Sequence, residues 1–152
     1  MANLFSPAFF MINGICLLIL FFSFRRPAQA AIALGVIFIF TAVINIIMLI
    51  GWPEAFLKLS TVVVYDWYVR VISESFRAKE QMIVISITLA QLLIAIALFS
   101  TGNWRTAALF CALIFFWAIA PFGDAAAVPA PMILSGACLV ILFKTNRKQL
   151  AK

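Results

Sequence analysis

Residues 31–52 read AIALGVIFIFTAVINIIMLIGW, an apolar run with no charged side chain from end to end, and Pro53 follows it directly. A bilayer core of about 30 Å is crossed by about 20 apolar residues in an α-helix rising 1.5 Å per residue, so this run alone is long enough to span. Its end is well marked, because glycine weakens a last turn and proline cannot donate to the helical ladder. The run predicts a membrane helix from Ala31 to Trp52.

Working outward, the same pattern recurs. Pro7 to Phe24, Gln81 to Ser100, Arg105 to Phe122 and Ala126 to Phe143 are the other apolar stretches, and short polar breaks separate most of them. With 66% hydrophobic residues and a mean hydropathy of +1.18 over 152 residues, the composition lies far above that of a soluble domain, of which about half is apolar. The expectation is an all-α integral membrane bundle of five transmembrane helices forming one domain, since little sequence remains outside the apolar segments for a soluble catalytic domain. The first stretch resembles a secretory signal, with Ala28-Gln29-Ala30 as a cleavage-like site. However, no basic residue precedes it and Arg25-Arg26 follow it, so it is expected to be retained.

Charge supplies the orientation. Arg25, Arg26, Arg105, Lys144, Arg147, Lys148 and Lys152 fall on one side of a five-span path, and Lys58, Arg70, Arg77 and Lys79 fall on the other. Basic residues favour the cytoplasmic side, which places the N-terminus outside and the C-terminus in the cytoplasm of a plasma (inner) membrane protein. The net charge of +6 is explained by these flanking residues meeting anionic headgroups, and no nucleic-acid partner is expected. Membrane lipids are the expected partners. A membrane or peripheral protein partner and a homo-oligomer are both compatible with the sequence.

The segment from Pro53 to Glu80 is the least membrane-like. Asp66, Arg70, Glu74 and Arg77 share one helical face, while Ala55-Phe56-Leu57 and Val62-Val63-Val64-Tyr65 are too apolar for a solvated loop. An interfacial outer segment is expected, anchored by Trp52, Tyr65, Trp67 and Tyr68 at headgroup level, where a ring is half buried and its polar tip stays wet. Two readings stay open, a lid over the outer mouth of the bundle and a plain interfacial helix. The segment is expected to pack near the Pro121–Val128 turn, into which the fourth and fifth helices extend.

Histidine is absent, and Cys16, Cys111 and Cys138 stand apart with no Cys-x-x-Cys pair, so no metal site and no cofactor is expected. No nucleophile-base pair or phosphate loop is present, which disfavours an enzyme. The candidate polar contacts are Asn45 and Gln91, the two deep amides, with Trp117 and Asp124 near the outer turn. An amide in hydrocarbon costs several kcal/mol unless paired, so Asn45 and Gln91 are expected to face the bundle, with Thr41 one turn before Asn45. Asn13 in the first stretch is an amide of the same kind. Asp124 also reads as a turn or N-cap residue.

Gly35 followed by Phe38, and Arg105-Thr106-Ala107-Ala108-Leu109 opening a later helix, resemble the Gly-x-x-Phe and Arg-x-Ala-Ala patterns of the DoxX-like family of four-helix membrane proteins. The resemblance runs from Ala31 to Phe143 and leaves Met1 to Phe24 as an extra N-terminal helix. Ala42 stands where the family often has a second glycine, and Gln91 where it often has a glutamate. An amide in place of a carboxylate removes a titratable group, so family proton chemistry is not carried over. The resemblance implies a small subunit or partner of quinone-linked or oxidative-stress enzymes. Two functions are therefore expected in competition: a non-catalytic subunit or scaffold, and a binding or transport protein for a hydrophobic molecule such as a quinone or lipid.

Overall fold

A computed structural model of the chain describes residues 7–51, 66–120 and 129–150, with side chains placed for 7, 9–51, 81–120 and 129–145. These residues form five helices and no strand: α1 (Pro7–Arg25), α2 (Pro27–Gly51), α3 (Asp66–Phe99), α4 (Asn103–Ile119) and α5 (Ala130–Leu150). The all-α expectation holds for them. Two helices are long and apolar enough to cross a membrane, Pro27–Gly51 and the Gln81–Phe99 part of α3, whereas Phe9–Arg25, Asn103–Ile119 and Ala130–Thr145 are shorter apolar helices. The five-span reading therefore goes beyond what helix length and composition establish.

Helix α2 begins at Pro27, four residues before the expected Ala31, and two further boundaries differ from the sequence expectation. The outer segment and the third span are expected as separate elements meeting at Glu80–Gln81, yet Asp66–Phe99 is one helix of 34 residues, about 51 Å long. No glycine or proline lies between Asp66 and Phe99 to interrupt it, so the second half of the outer segment continues the axis of α3. Similarly, α5 passes Phe143 and runs to Leu150. The lysine, arginine and glutamine there are good helix formers, and cations suit a helix C-terminus.

The turns follow local chemistry. Between α1 and α2 the ladder is barely broken, since Arg26 N donates to Phe22 O at 2.6 Å and Ala30 N to Arg26 O at 3.0 Å. Pro27 then occupies a first-turn position, where no N–H is needed. Between α3 and α4, Gly102 takes a positive φ of 69°, which a side chain would resist. Arg105 Nε reaches back 3.2 Å to Leu98 O, placing a cation on the carbonyl end of α3 and fastening α4 to it.

Helix α2 packs most extensively on α3, α4 lies against α3 and α5, and α5 closes onto α1 and α2. Helices α2 to α5 thus form a closed four-helix ring, with α1 seated along the α2/α5 edge. Register comes from single contacts. Gly35 faces Phe99 and Ala95 of α3 while Asn45 farther along meets Gln91, so α2 and α3 are antiparallel; Leu20 faces Gly136, and Lys144 Nζ donates to Phe24 O, so α1 and α5 are parallel. Consequently Arg25, Arg26, Arg105 and Lys144 share one end of the bundle, hereafter the basic end.

Phe38 of α2 sits at the centre, 1% exposed, with ring centroids of Phe115 and Phe116 of α4 both at 5.3 Å. Around it Leu34, Leu98, Leu109, Ala112 and Ile141 complete the core. The outside is apolar as well: Phe10, Phe40, Ile50, Leu93, Ile114 and Phe143 are all exposed. Residues 27–51, 81–104, 106–120 and 129–143 contain no charged side chain at all.

Candidate functional site

The most connected polar group in the described structure joins α2 and α3. On α2, Thr41 and Asn45 lie one turn apart on the side turned to α3, because the buried stripe Leu34–Phe38–Ala42 places that side inward. On α3, Gln91 lies midway along the stripe Val84–Gln91–Leu98 and is 3% exposed. Asn45 Nδ2 donates to Gln91 Oε1 at 2.9 Å, and Gln91 Nε2 donates to Thr41 Oγ1 at 3.2 Å. The Thr41 hydroxyl then passes its proton toward Ile37 O at 3.0 Å and Phe38 O at 3.1 Å. The result is a directed chain of hydrogen bonds, from amide to amide to hydroxyl to backbone.

The other buried polar side chains turn back on their own helices. Thr88 donates to Val84 O at 2.8 Å, Ser135 to Pro131 O at 2.8 Å and Ser23 to Leu20 O at 2.6 Å. Such i−3/i−4 bonds satisfy a hydroxyl in an apolar setting without joining two helices. Asn13 Nδ2 does the same with Phe9 O at 2.9 Å, but its buried Oδ1 has no hydrogen-bond partner. An unpaired buried acceptor costs about 1–3 kcal/mol, so Asn13 is the least satisfied polar group of the described core.

The candidate residues divide. Asn45 and Gln91 are brought together. Trp117 is not with them: it is 64% exposed on the outer face of α4, because the stripe Ala108–Leu109–Ala112–Phe116 turns Phe116 inward and sends its neighbour outward. Asp124, Trp52 and Tyr65 lie outside the described residues. Trp67 and Tyr68 belong to the first turn of α3, and their side chains lie outside the described set. The expected packing of the outer segment near Pro121–Val128 also falls on residues outside it.

Chemically, the chain of amides offers neutral donors and acceptors and no titratable group. Among the described residues no three of His, Cys, Asp and Glu gather as metal ligands. Cys16 and Cys138 are buried and Cys111 is exposed, each as a free thiol. Two contacts had little signal in the sequence, Arg105 to Leu98 O and Lys144 to Phe24 O. The first had a faint one, a cation just beyond a glycine turn.

Comparison with protein-family models, with curated proteins and with solved structures returned no match for this chain.

Interhelical hydrogen bonds between membrane helices average about 0.6 kcal/mol and reach about 1.7. If the bundle sits in a membrane as expected, Gln91→Leu should cost about 1 kcal/mol, and the Asn45→Leu/Gln91→Leu double-mutant cycle should give a coupling in the same range, read from unfolding in mixed micelles. Zero coupling would mean that the two amides do not meet.

Proposed function

We propose that the chain is a multi-pass membrane protein of five crossing helices that acts as a non-catalytic subunit or scaffold of a membrane-associated complex. The observation that carries this reading is the apolar exterior. Among the described side chains, large hydrophobic ones are exposed on every helix, residues 27–51, 81–104, 106–120 and 129–143 carry no charge, and Arg25, Arg26, Arg105 and Lys144 gather at one end. Water would reject such a surface over its whole girth, while lipid would accept it. The shorter helices fit by modest adjustment. Helix α4, with 17 residues, is about 25 Å long, and local thinning of the bilayer meets a shortfall of that size.

The basic end is assigned to the cytoplasm, which puts the N-terminus outside. In this role the apolar core, filled at its centre by Phe38, Phe115 and Phe116, supplies a rigid body rather than a reaction site. The resemblance of Gly35, Phe38 and Arg105–Leu109 to DoxX-like proteins adds the proposal that the partner belongs to a quinone-linked or oxidative-stress system. Fold-level likeness carries no chemistry by itself. A binding role for a hydrophobic molecule such as a quinone or lipid is the second reading, favoured by the Asn45–Gln91 chain and the spare acceptor of Asn13.

The test has two arms. The chain is expected to stay with membranes through alkaline carbonate and to leave them with detergent; release by carbonate alone would refute the membrane reading. In a Cys111→Ser background, a thiol placed near Met1 is expected to react with an impermeant reagent in intact cells and one near Lys152 to be protected. The reverse pattern overturns the orientation. Recovery of a reproducible protein partner from native membranes supports the scaffold, whereas a stoichiometric quinone or lipid lost in Asn45→Leu favours the binder.

A further inference from the structure

We infer that the elbow between α1 and α2, together with the last apolar turns of α5, forms a discrete binding site for one anionic phospholipid. The inference rests on the membrane reading above.

Three cations converge there. Lys144 Nζ donates to Phe24 O, which places an ammonium group beside the backbone that leads into Arg25 and Arg26. That bond uses one of its three donors. The Arg25 guanidinium lies 5.1 Å over the Phe21 ring and makes no hydrogen bond among the described residues, so its donors face outward. Arg26 Nη1 reaches Gln29 Oε1 at 3.4 Å, which steadies the second guanidinium at the start of α2.

No side-chain carboxylate is positioned by sequence to neutralise them. All the acidic residues are Glu54, Asp66, Glu74, Glu80 and Asp124, and α3 carries three of these along the part that enters from the opposite end of the bundle. Three positive charges with no counter-charge among the described side chains suit a phosphodiester, which accepts several charge-assisted hydrogen bonds at once.

The neighbouring surface selects a lipid over a free phosphate. Leu20 against Gly136 defines where α1 and α5 meet, and Phe24, Leu139 and Phe143 are exposed beside that seam, just below the cations. A headgroup held by Arg25, Arg26 and Lys144 would lay its acyl chains over these residues. Inorganic phosphate would leave them uncovered.

Native mass spectrometry of the full chain released from vesicles of phosphatidylcholine with one fifth phosphatidylglycerol tests the site. One phosphatidylglycerol is expected to remain bound per chain. Surface cations contribute about a factor of five each, so Arg25→Gln should weaken retention about fivefold and Arg25→Gln with Lys144→Gln about 30-fold. The control Arg147→Gln with Lys148→Gln removes the same charge from the same end but not from the site, and retention should fall far less than in the Arg25/Lys144 pair. Because Lys144 also ties α1 to α5, the single Arg25→Gln variant keeps the test readable if the double variant is not recovered. Equal loss in the control means diffuse electrostatics and overturns the site. Displacement by millimolar inorganic phosphate makes it a phosphate site and overturns the lipid assignment. A membrane-embedded chain that retains phosphatidylcholine equally well refutes the site alone, while a chain that fractionates with the aqueous phase refutes the membrane reading beneath it.

Discussion

Phe38→Ala is expected to produce the largest loss of stability of any single truncation in this chain, about 3–5 kcal/mol. Phe38 is 1% exposed and is the largest fully buried side chain among the described residues, and it spans the bundle from α2 to two rings of α4. Removing it deletes edge and tilted contacts with Phe115 and Phe116 and leaves a void that helices on all sides must close. Small residues at Ala42 and Ala112 offer nothing to fill it. On the proposed membrane reading the cost is mostly lost dispersion, because lipid tails are as apolar as the core and the hydrophobic effect between helices is weak. Unfolding in mixed micelles measures it. Phe40→Ala, two residues away but exposed, is the control and should change stability by less than about 0.5 kcal/mol. Equal losses at both positions would show that Phe38 does not occupy the centre.

Much of the fold was legible because helix ends here are chemical events. Gly102 ends the α3/α4 turn for the reason its positive φ makes plain, while the stop expected for α2 at Trp52-Pro53 lies outside the described residues. The Glu80–Gln81 boundary was misread because a change from charged to apolar composition changes the solvent a helix prefers, not its backbone. No glycine or proline interrupts the helix from Asp66 to Phe99. The basic tail after Phe143 continues α5 for the same reason.

The candidate site was legible in its parts and not in its pairing. Asn45 and Gln91 stand out as the deep amides of α2 and α3, and the cost of an unpaired amide demands a partner. Which atoms meet depends on the α2/α3 register, and that is set by Gly35 and Ala95, whose significance no composition rule reveals. Trp117 was placed near Asp124 by chain proximity alone. Helix α4 is apolar all round, so periodicity does not separate its inner face from its outer one, and one step of 100° decides whether Phe116 or Trp117 points inward.

That register rests on one close approach, which sets the second large effect. A Cβ at Gly35 would lie 3.0 Å from two ring carbons of Phe99 and 3.3 Å from Ala95 O. The ring can yield, since Phe99 is the last residue of α3 and is 41% exposed. The carbonyl cannot, because it belongs to the helix backbone. Gly35→Ala is therefore expected to cost less than about 1 kcal/mol, with the Phe99 ring swinging outward. Gly35→Leu must push α2 and α3 apart and is expected to cost about 1–3 kcal/mol. Separation also lengthens the bonds from Gln91 to Asn45 and Thr41 farther along the same interface, so the Asn45/Gln91 coupling should fall toward zero in the Leu background. Gly14, which has nothing within 4 Å of its would-be Cβ, supplies the contrast. Gly14→Leu should be neutral or stabilising, because its Cβ meets no neighbour and the change replaces a poor helix former. If Gly35→Leu proves as harmless as Gly14→Leu, or destabilises while the amide coupling stays intact, α2 and α3 are not held in this register by backbone contact at Gly35.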